Sequence, residues 1–265
     1  MRIEETSFFK EAIRFIGYGS SFGWHERNAG NISLRLSENE VASVKDLFDS
    51  SRDWVLLPYQ VSEMSGEFVF TTVSGSYFID MHNASETKFC ICEISADGMS
   101  YKVVWGDLKP TSELCGHLMS LAELKKRNGG RAVYHCHPAN IIALSYLLPL
   151  SDKAVSEAIW ASETECAFVL PKGIGVVGFN VPGSTKLAKE TAEKVAVFDI
   201  VLWAFHGVFS TGNSIAEAFG LAHAVEKASE IRLKIMSSGY KETNTITPEQ
   251  QKEIAEYYGF DLNSF

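Results

Sequence analysis

Arg131-Ala132-Val133-Tyr134-His135-Cys136-His137-Pro138 is the stretch from which the rest of the chain can be read. An apolar run ends in two histidines separated by one residue, and Pro138 then opens an apolar helical pattern over residues 139–148. If the run is a strand, side chains two apart face the same side, so His135 and His137 present their imidazoles together and Cys136 points to the opposite, buried face. A second apolar run, Ile200-Val201-Leu202-Trp203-Ala204-Phe205, ends at His206. Three neutral imidazoles leave a tetrahedral ion one position short, which is the arrangement of a catalytic zinc site and not of a closed structural one. A His-x-His pair by itself arises readily by chance in a chain with 7 histidines. Its place at the end of a strand and before a helix is what favours ligation.

Composition restricts the alternatives. The 265 residues are 46% hydrophobic and 22% charged, the make-up of a globular protein with a sizeable core. A net charge of -9 argues against a general nucleic-acid surface, which needs clustered Lys and Arg, but leaves room for a small anion held by local donors. No apolar run is long enough to cross a bilayer, and Met1-Arg2-Ile3-Glu4-Glu5 lacks the apolar core of a secretory signal, so no membrane association and a cytoplasmic location are expected. Cys90, Cys92, Cys115, Cys136 and Cys166 form neither an even set nor a Cys-x-x-Cys pair, which argues against a disulfide frame. The sequons Asn31-Ile32-Ser33 and Asn83-Ala84-Ser85 carry no meaning without secretion.

Along the chain, residues 5–20 read as a helix and residues 32–36 alternate as a strand. Residues 37–66 look polar and irregular, with one strand-like piece at 54–57. Strands are expected at 67–73, 89–95 and 101–105, the last two joined by Ala96-Asp97-Gly98 as an antiparallel hairpin. A helix over 112–127 should stop at Asn128-Gly129-Gly130. Beyond the histidine strand, a strand at 167–170, a helix from Ser184, the strand to Phe205, a long helix from Ser214 and a short one from Thr247 complete the expectation. With neither linker nor repeat, residues 1–265 read as a single α/β domain with a largely antiparallel sheet.

Other residues could do chemistry. Pro110-Thr111-Ser112-Glu113 places two hydroxyls and a carboxylate at a helix start, where free N–H groups and the dipole favour an anion. The same composition is also that of an ordinary N-cap with Glu113 in the first turn, and the two readings are compatible. A glutamate beside a metal could fill its fourth position at rest and move a proton when substrate arrives. Asn28-Ala29-Gly30-Asn31 and Thr72-Val73-Ser74-Gly75-Ser76 lie at strand ends, where they could cradle a phosphate or simply form turns. Gly173-Ile174-Gly175 lacks the strand, helix and acidic residue of a dinucleotide fingerprint. Glu163 and Glu165 read as surface charges from spacing alone, and His25, His82, His117 and His223 as surface or structural histidines.

Taken in order, Trp24-His25-Glu26-Arg27-Asn28-Ala29-Gly30-Asn31, Thr72-Val73-Ser74-Gly75, Pro110-Thr111-Ser112-Glu113-Leu114, His135-Cys136-His137, Thr164-Glu165-Cys166 and Phe205-His206-Gly207-Val208-Phe209 resemble the class II aldolase and adducin family over nearly the whole chain. The resemblance implies a three-layer α/β/α domain and a zinc enzyme that reversibly cleaves L-rhamnulose 1-phosphate into dihydroxyacetone phosphate and L-lactaldehyde. It implies one zinc per subunit on His135, His137 and His206, acting as a Lewis acid with no Schiff-base lysine. Glu113 would move the proton at the carbon next to the carbonyl, and Glu165 would reach the site of a neighbouring subunit in a homotetramer. Phosphate would rest on Asn28, Gly30, Asn31, Ser74, Gly75 and Ser112. Two positions depart from the family pattern: Ala29 stands in place of a second glycine and Ser76 in place of a lysine. A fuculose-phosphate aldolase, a sugar-phosphate 4-epimerase on the same scaffold and a non-catalytic adducin-like protein are the competing readings, and the last would be expected to lose the metal ligands.

Overall fold

The computed structural model describes residues 2–79, 88–106, 109–263 and 265, so His82 and the Asn83 sequon lie outside the described residues. Nine strands form one sheet: β1 (Asn31–Arg35), β2 (Val55–Leu56), β3 (Phe68–Thr72), β4 (Phe89–Ile94), β5 (Ser100–Trp105), β6 (Ala132–Cys136), β7 (Gly175–Val177), β8 (Ile200–Trp203) and β9 (Gly207–Gly212). Their spatial order is β2-β5-β4-β3-β1-β6-β9-β8-β7. Every neighbouring pair is antiparallel except β7 with β8. The helices are α1 (Ser7–Ser21), α2 (Glu38–Val44), α3 (Leu114–Arg127), α4 (Ala139–Leu144), α5 (Asp152–Trp160), α6 (Glu165–Val169), α7 (Thr185–Val195), α8 (Ile215–Ser237) and α9 (Pro248–Tyr258).

Strand alternation sorts the core into two faces. Ile32, Leu34, Phe70, Tyr134, Leu202 and Val208 pack with Ile16 of α1, Ile141 of α4, Ile159 of α5 and Ala222 and Val225 of α8. Val69, Cys92, Val133, Val201 and Phe209 pack on the other face with Leu114, Leu118 and Leu121 of α3 and Leu187 and Val195 of α7. The result is the expected three-layer arrangement around a largely antiparallel sheet. Cys136, buried among the first set, faces away from the histidines as strand periodicity requires.

The structure departs from the local expectations at several places, α5 among them, which no expected element covered. Residues 167–170 are not a strand: Cys166, Ala167 and Leu170 are buried while Phe168 is exposed, a helical spacing that seats α6 against α8. The strand that follows is β7, where Gly175 runs so close to Phe198 that a Cβ would meet its ring at 2.8 Å. Within the supposedly irregular 37–66, Ser37 and Glu40 form a reciprocal capping box that starts α2. The chain after His206 returns at once as β9, through a turn in which Phe205 takes φ 67 and donates its N–H to Ser145 Oγ. Finally, α3 begins at Leu114, and Glu113 occupies the N-cap position without a side-chain capping bond.

Candidate metal centre and active site

The centre of the sheet builds the site. β1, β6 and β9 are adjacent, and the register places Asn31 opposite His135, itself opposite Phe209. His135 is the penultimate residue of β6, His137 lies just past its end, and the left-handed Phe205 turns His206 back toward the pair. Nε2 of His135 and Nε2 of His137 are 3.2 Å apart. One ligand atom from each of the three histidines lies within 4.8 Å of the other two. Imidazole nitrogens about 2.0–2.1 Å from a shared tetrahedral ion stand roughly 3.3 Å from one another.

The donor chemistry fits an ion as well as the spacing does. Nδ1 of His135 faces the Val208 carbonyl oxygen at 2.9 Å, and Nδ1 of His137 faces Glu26 Oε1 at 2.6 Å. Both neighbours are acceptors, which assigns each ring proton to Nδ1 and leaves a lone pair on Nε2. Two lone pairs pointed at each other repel, and a cation between them removes the repulsion. Burial first, then the neighbouring His137 and His206, hold His135 well below the usual histidine range. Burial first, then His137, lowers His206 to about 4. Neutral imidazoles are the form that binds metal.

Glu113 stands beside them, its Oε2 3.9 Å from His135 Nε2. Because its side chain does not cap α3, the carboxylate is free to face the cleft. Burial raises its proton affinity, and the Asn31 amide and the nearby His137 pull it back without cancelling the rise. Asn31 Nδ2 donates to Glu113 Oε2 at 2.8 Å, so the side chain expected on phosphate also holds the candidate acid. One rung along, His117 Nδ1 donates to Ser33 Oγ at 2.7 Å, and Ser33 donates to Thr71 Oγ1 at 2.8 Å.

His117, lowered to about 3 by burial, is a structural histidine. His25, lowered to about 3 by burial and then by His137, is another, with Nε2 2.7 Å from the Tyr134 hydroxyl. His223 is exposed and stacks on Phe22 with ring centroids 5.3 Å apart.

A cleft of about 210 Å³ opens over these groups, and its lining gathers Asn28, Gly30, Asn31, Ser74, Gly75 and Ser112 with Glu113 and the three histidines. Ala29 and Ser76 lie in the same wall, and no lysine or arginine is among the lining residues. Gly30, at φ 83, could not be replaced without strain: a Cβ would strike the His25 ring and come within 2.9 Å of the His135 carbonyl oxygen. Glu165 is not brought there by its own chain; it lies exposed on α6. Glu26 was missed by sequence reading, because its bond to His137 joins residues far apart in the chain and only its neighbourhood to Asn28 hinted at a role. Thr111, one of the two hydroxyls expected at the helix start, also lines the cleft, as does Pro182, which carried no distinguishing signal.

The Class II Aldolase and Adducin N-terminal domain pattern matches residues 18–233, and the chain belongs to that family. It is similar to the rhamnulose-1-phosphate aldolase of Mannheimia succiniciproducens, with 38% identity over 242 residues that cover 89% of each protein. The rhamnulose-1-phosphate aldolase of Yersinia pestis is also 38% identical, over 88% of this chain and 86% of its own. Among solved structures, a sugar-phosphate aldolase from Thermotoga maritima superposes with a TM-score of 0.76 at 31% identity, over 89% of this chain and 97% of that one. No helix among the described residues is long and apolar enough to cross a membrane.

Proposed function

We propose that the protein is a zinc-dependent aldolase that reversibly cleaves L-rhamnulose 1-phosphate into dihydroxyacetone phosphate and L-lactaldehyde. The observation that carries this reading is a protonatable Glu113 set 3.9 Å from one of three converging imidazoles, beneath a cradle of uncharged donors. Relatives 38% identical over most of their length and named for this activity support the choice of substrate. The whole of residues 1–265 serves as one class II aldolase domain.

Bound by His135, His137 and His206, the ion would supply a Lewis acid for the negative charge that develops as the carbon-carbon bond breaks. The chain's own residues do the rest. Asn28, Gly30, Asn31, Ser74, Gly75 and Ser112 hold the phosphate through neutral donors, which suits a chain of net charge -9. When the bond between C3 and C4 breaks, its electrons stay on C3, and Glu113 gives C3 a proton; in the synthetic direction it takes that proton back. Its raised proton affinity keeps the acid form available for this step. Glu165 of a neighbouring subunit receives the proton of the C4 hydroxyl, whose oxygen becomes the aldehyde. Such a site needs more than one chain, and the reading includes a homotetramer with sites at subunit interfaces, working in the cytoplasm on a sugar phosphate too charged to leave it.

A sugar-phosphate 4-epimerase would break and remake a similar bond, but it would return a five-carbon sugar phosphate in place of two three-carbon products. An adducin-like role without chemistry is disfavoured by the intact histidines and Glu113. The deciding experiment incubates the purified protein with L-rhamnulose 1-phosphate before and after a chelator. Release of dihydroxyacetone phosphate should stop on verified metal removal and return with zinc. Unchanged release by metal-free protein would end the proposal.

A further inference from the structure

Glu26 has been given no part in the reaction, and its setting is unusual for a surface carboxylate. It is 63% exposed, yet its carboxylate oxygen lies 2.6 Å from His137 Nδ1, and among the described residues no lysine or arginine is paired with it. Electrostatic attraction at so exposed a carboxylate is weak. The bond's value is directional: it fixes the proton on Nδ1, and so aims the Nε2 lone pair at the other two histidines. His135 needs no such help, since it is fully buried and held by the Val208 carbonyl.

The same residue also shapes the loop that carries Asn28 and Asn31. The Glu26 carbonyl accepts the Ala29 N–H at 2.9 Å, closing a turn around Arg27 at φ 53. The Trp24 carbonyl accepts the His137 N–H at 3.0 Å, and Gly30 passes over the His135 carbonyl. Residues 24–31 are therefore fastened to the histidine segment at several points, and at His137 Glu26 supplies the side-chain hydrogen bond from this loop.

We propose that Glu26 is a positioning residue that ties the order of the phosphate loop to metal occupancy, by holding His137 with its side chain and closing the 26–29 turn with its backbone. The inference rests on the reading of His135, His137 and His206 as the metal site. A metal drawing on Nε2 makes the Nδ1 proton of His137 a stronger donor to Glu26, and the turn that Glu26 closes is held more firmly. Metal binding thus prepares the cradle before substrate enters.

The test compares wild type with Glu26→Ala and Glu26→Gln, each stripped of metal and refilled. Zinc affinity is measured by competition with a chromophoric chelator, and amide hydrogen exchange of residues 24–31 is followed with and without saturating zinc. Glu26→Ala should weaken zinc binding by about 10- to 100-fold, the usual loss for a partner behind a ligating histidine, and Glu26→Gln, which keeps an acceptor oxygen, by less. Zinc should slow exchange of the loop in wild type and leave it unchanged in zinc-saturated Glu26→Ala. Melting temperatures of the metal-free proteins separate these effects from a general loss of stability. Alanine-variant affinity within about twofold of wild type, or equal zinc-dependent protection of the loop, overturns the inference. If wild type itself takes up no zinc, the metal reading falls first and this inference with it.

Discussion

Glu113 is pulled in two directions, toward protonation by burial and toward ionisation by the Asn31 amide and His137. Glu113→Gln keeps the size and the hydrogen-bonding oxygen but can neither give nor take a proton. Zinc stoichiometry should stay near wild type, while kcat falls by about 10²–10⁴-fold, the usual share of a positioned acid or base. Proton exchange between dihydroxyacetone phosphate and deuterated water isolates that step, and exchange within tenfold of wild type would remove Glu113 from the role. At this scale the sequence was legible where local spacing encodes direction. His135 and His137 share a face because they are two apart, and Glu113 stands out because it sits at a helix start. Asn31 was legible only by half, since pairing opposite His135 turns its amide onto Glu113. Glu26 could not be found this way, because its partner arrives from β6 only after the sheet has formed.

Among the elements, α2 is the clearest case of a signal present but unread. Ser37 N donates to Glu40 Oε2 at 2.7 Å, Glu40 N donates to Ser37 Oγ, and Arg131 holds the same carboxylate through Nη2 at 3.1 Å. Burial pushes Glu40 up, but Arg131 and Ser37 outweigh it and leave the carboxyl below its ordinary 4.5. A lowered folded value means that this stabilisation is complete above the unfolded value and is lost as the pH falls through the folded one. Ser37→Ala should therefore cost about 1 kcal/mol at neutral pH by urea unfolding. The gap between wild type and Glu40→Gln should narrow as the pH is taken below 4.5, and a gap that is constant with pH would contradict the pairing. The strand expected at 167–170 failed for a different reason. A four-residue apolar run has no period of its own, and contact with α8 decided for helix. β9 went unnoticed because the turn at Phe205 and His206 is made by a left-handed phenylalanine, which turn chemistry gives no cause to expect.

For the whole molecule, the layers and the mostly antiparallel sheet followed from alternation and short connections, whereas the completeness of the site is a question about assembly. Glu165 is exposed on α6 beside Phe168, which packs its ring 4.7 Å from that of Tyr258, so an acid and an apolar surface are presented together to the outside. If Glu165 acts in a neighbour's cleft, Glu113→Ala and Glu165→Ala proteins are each nearly inactive alone. Equal mixing with subunit exchange should then restore about a quarter of wild-type activity, since half the sites keep Glu113 and half of those meet an intact Glu165. Recovery that stays at background, in subunits shown by mass spectrometry to have exchanged, would place Glu165 outside the reaction.

The side-by-side packing of β1, β6 and β9 also constrains when the three histidines can first come together during synthesis of the chain. Asn31, His135 and Val208 meet only across strands that leave the ribosome far apart in time, and His206 follows its two partners late. A nascent chain that ends before residue 206 holds only His135 and His137 of the three histidines that converge in the finished fold. If these histidines hold the metal, loading waits for a nearly finished polypeptide, and a truncated product lacks the complete ligand set.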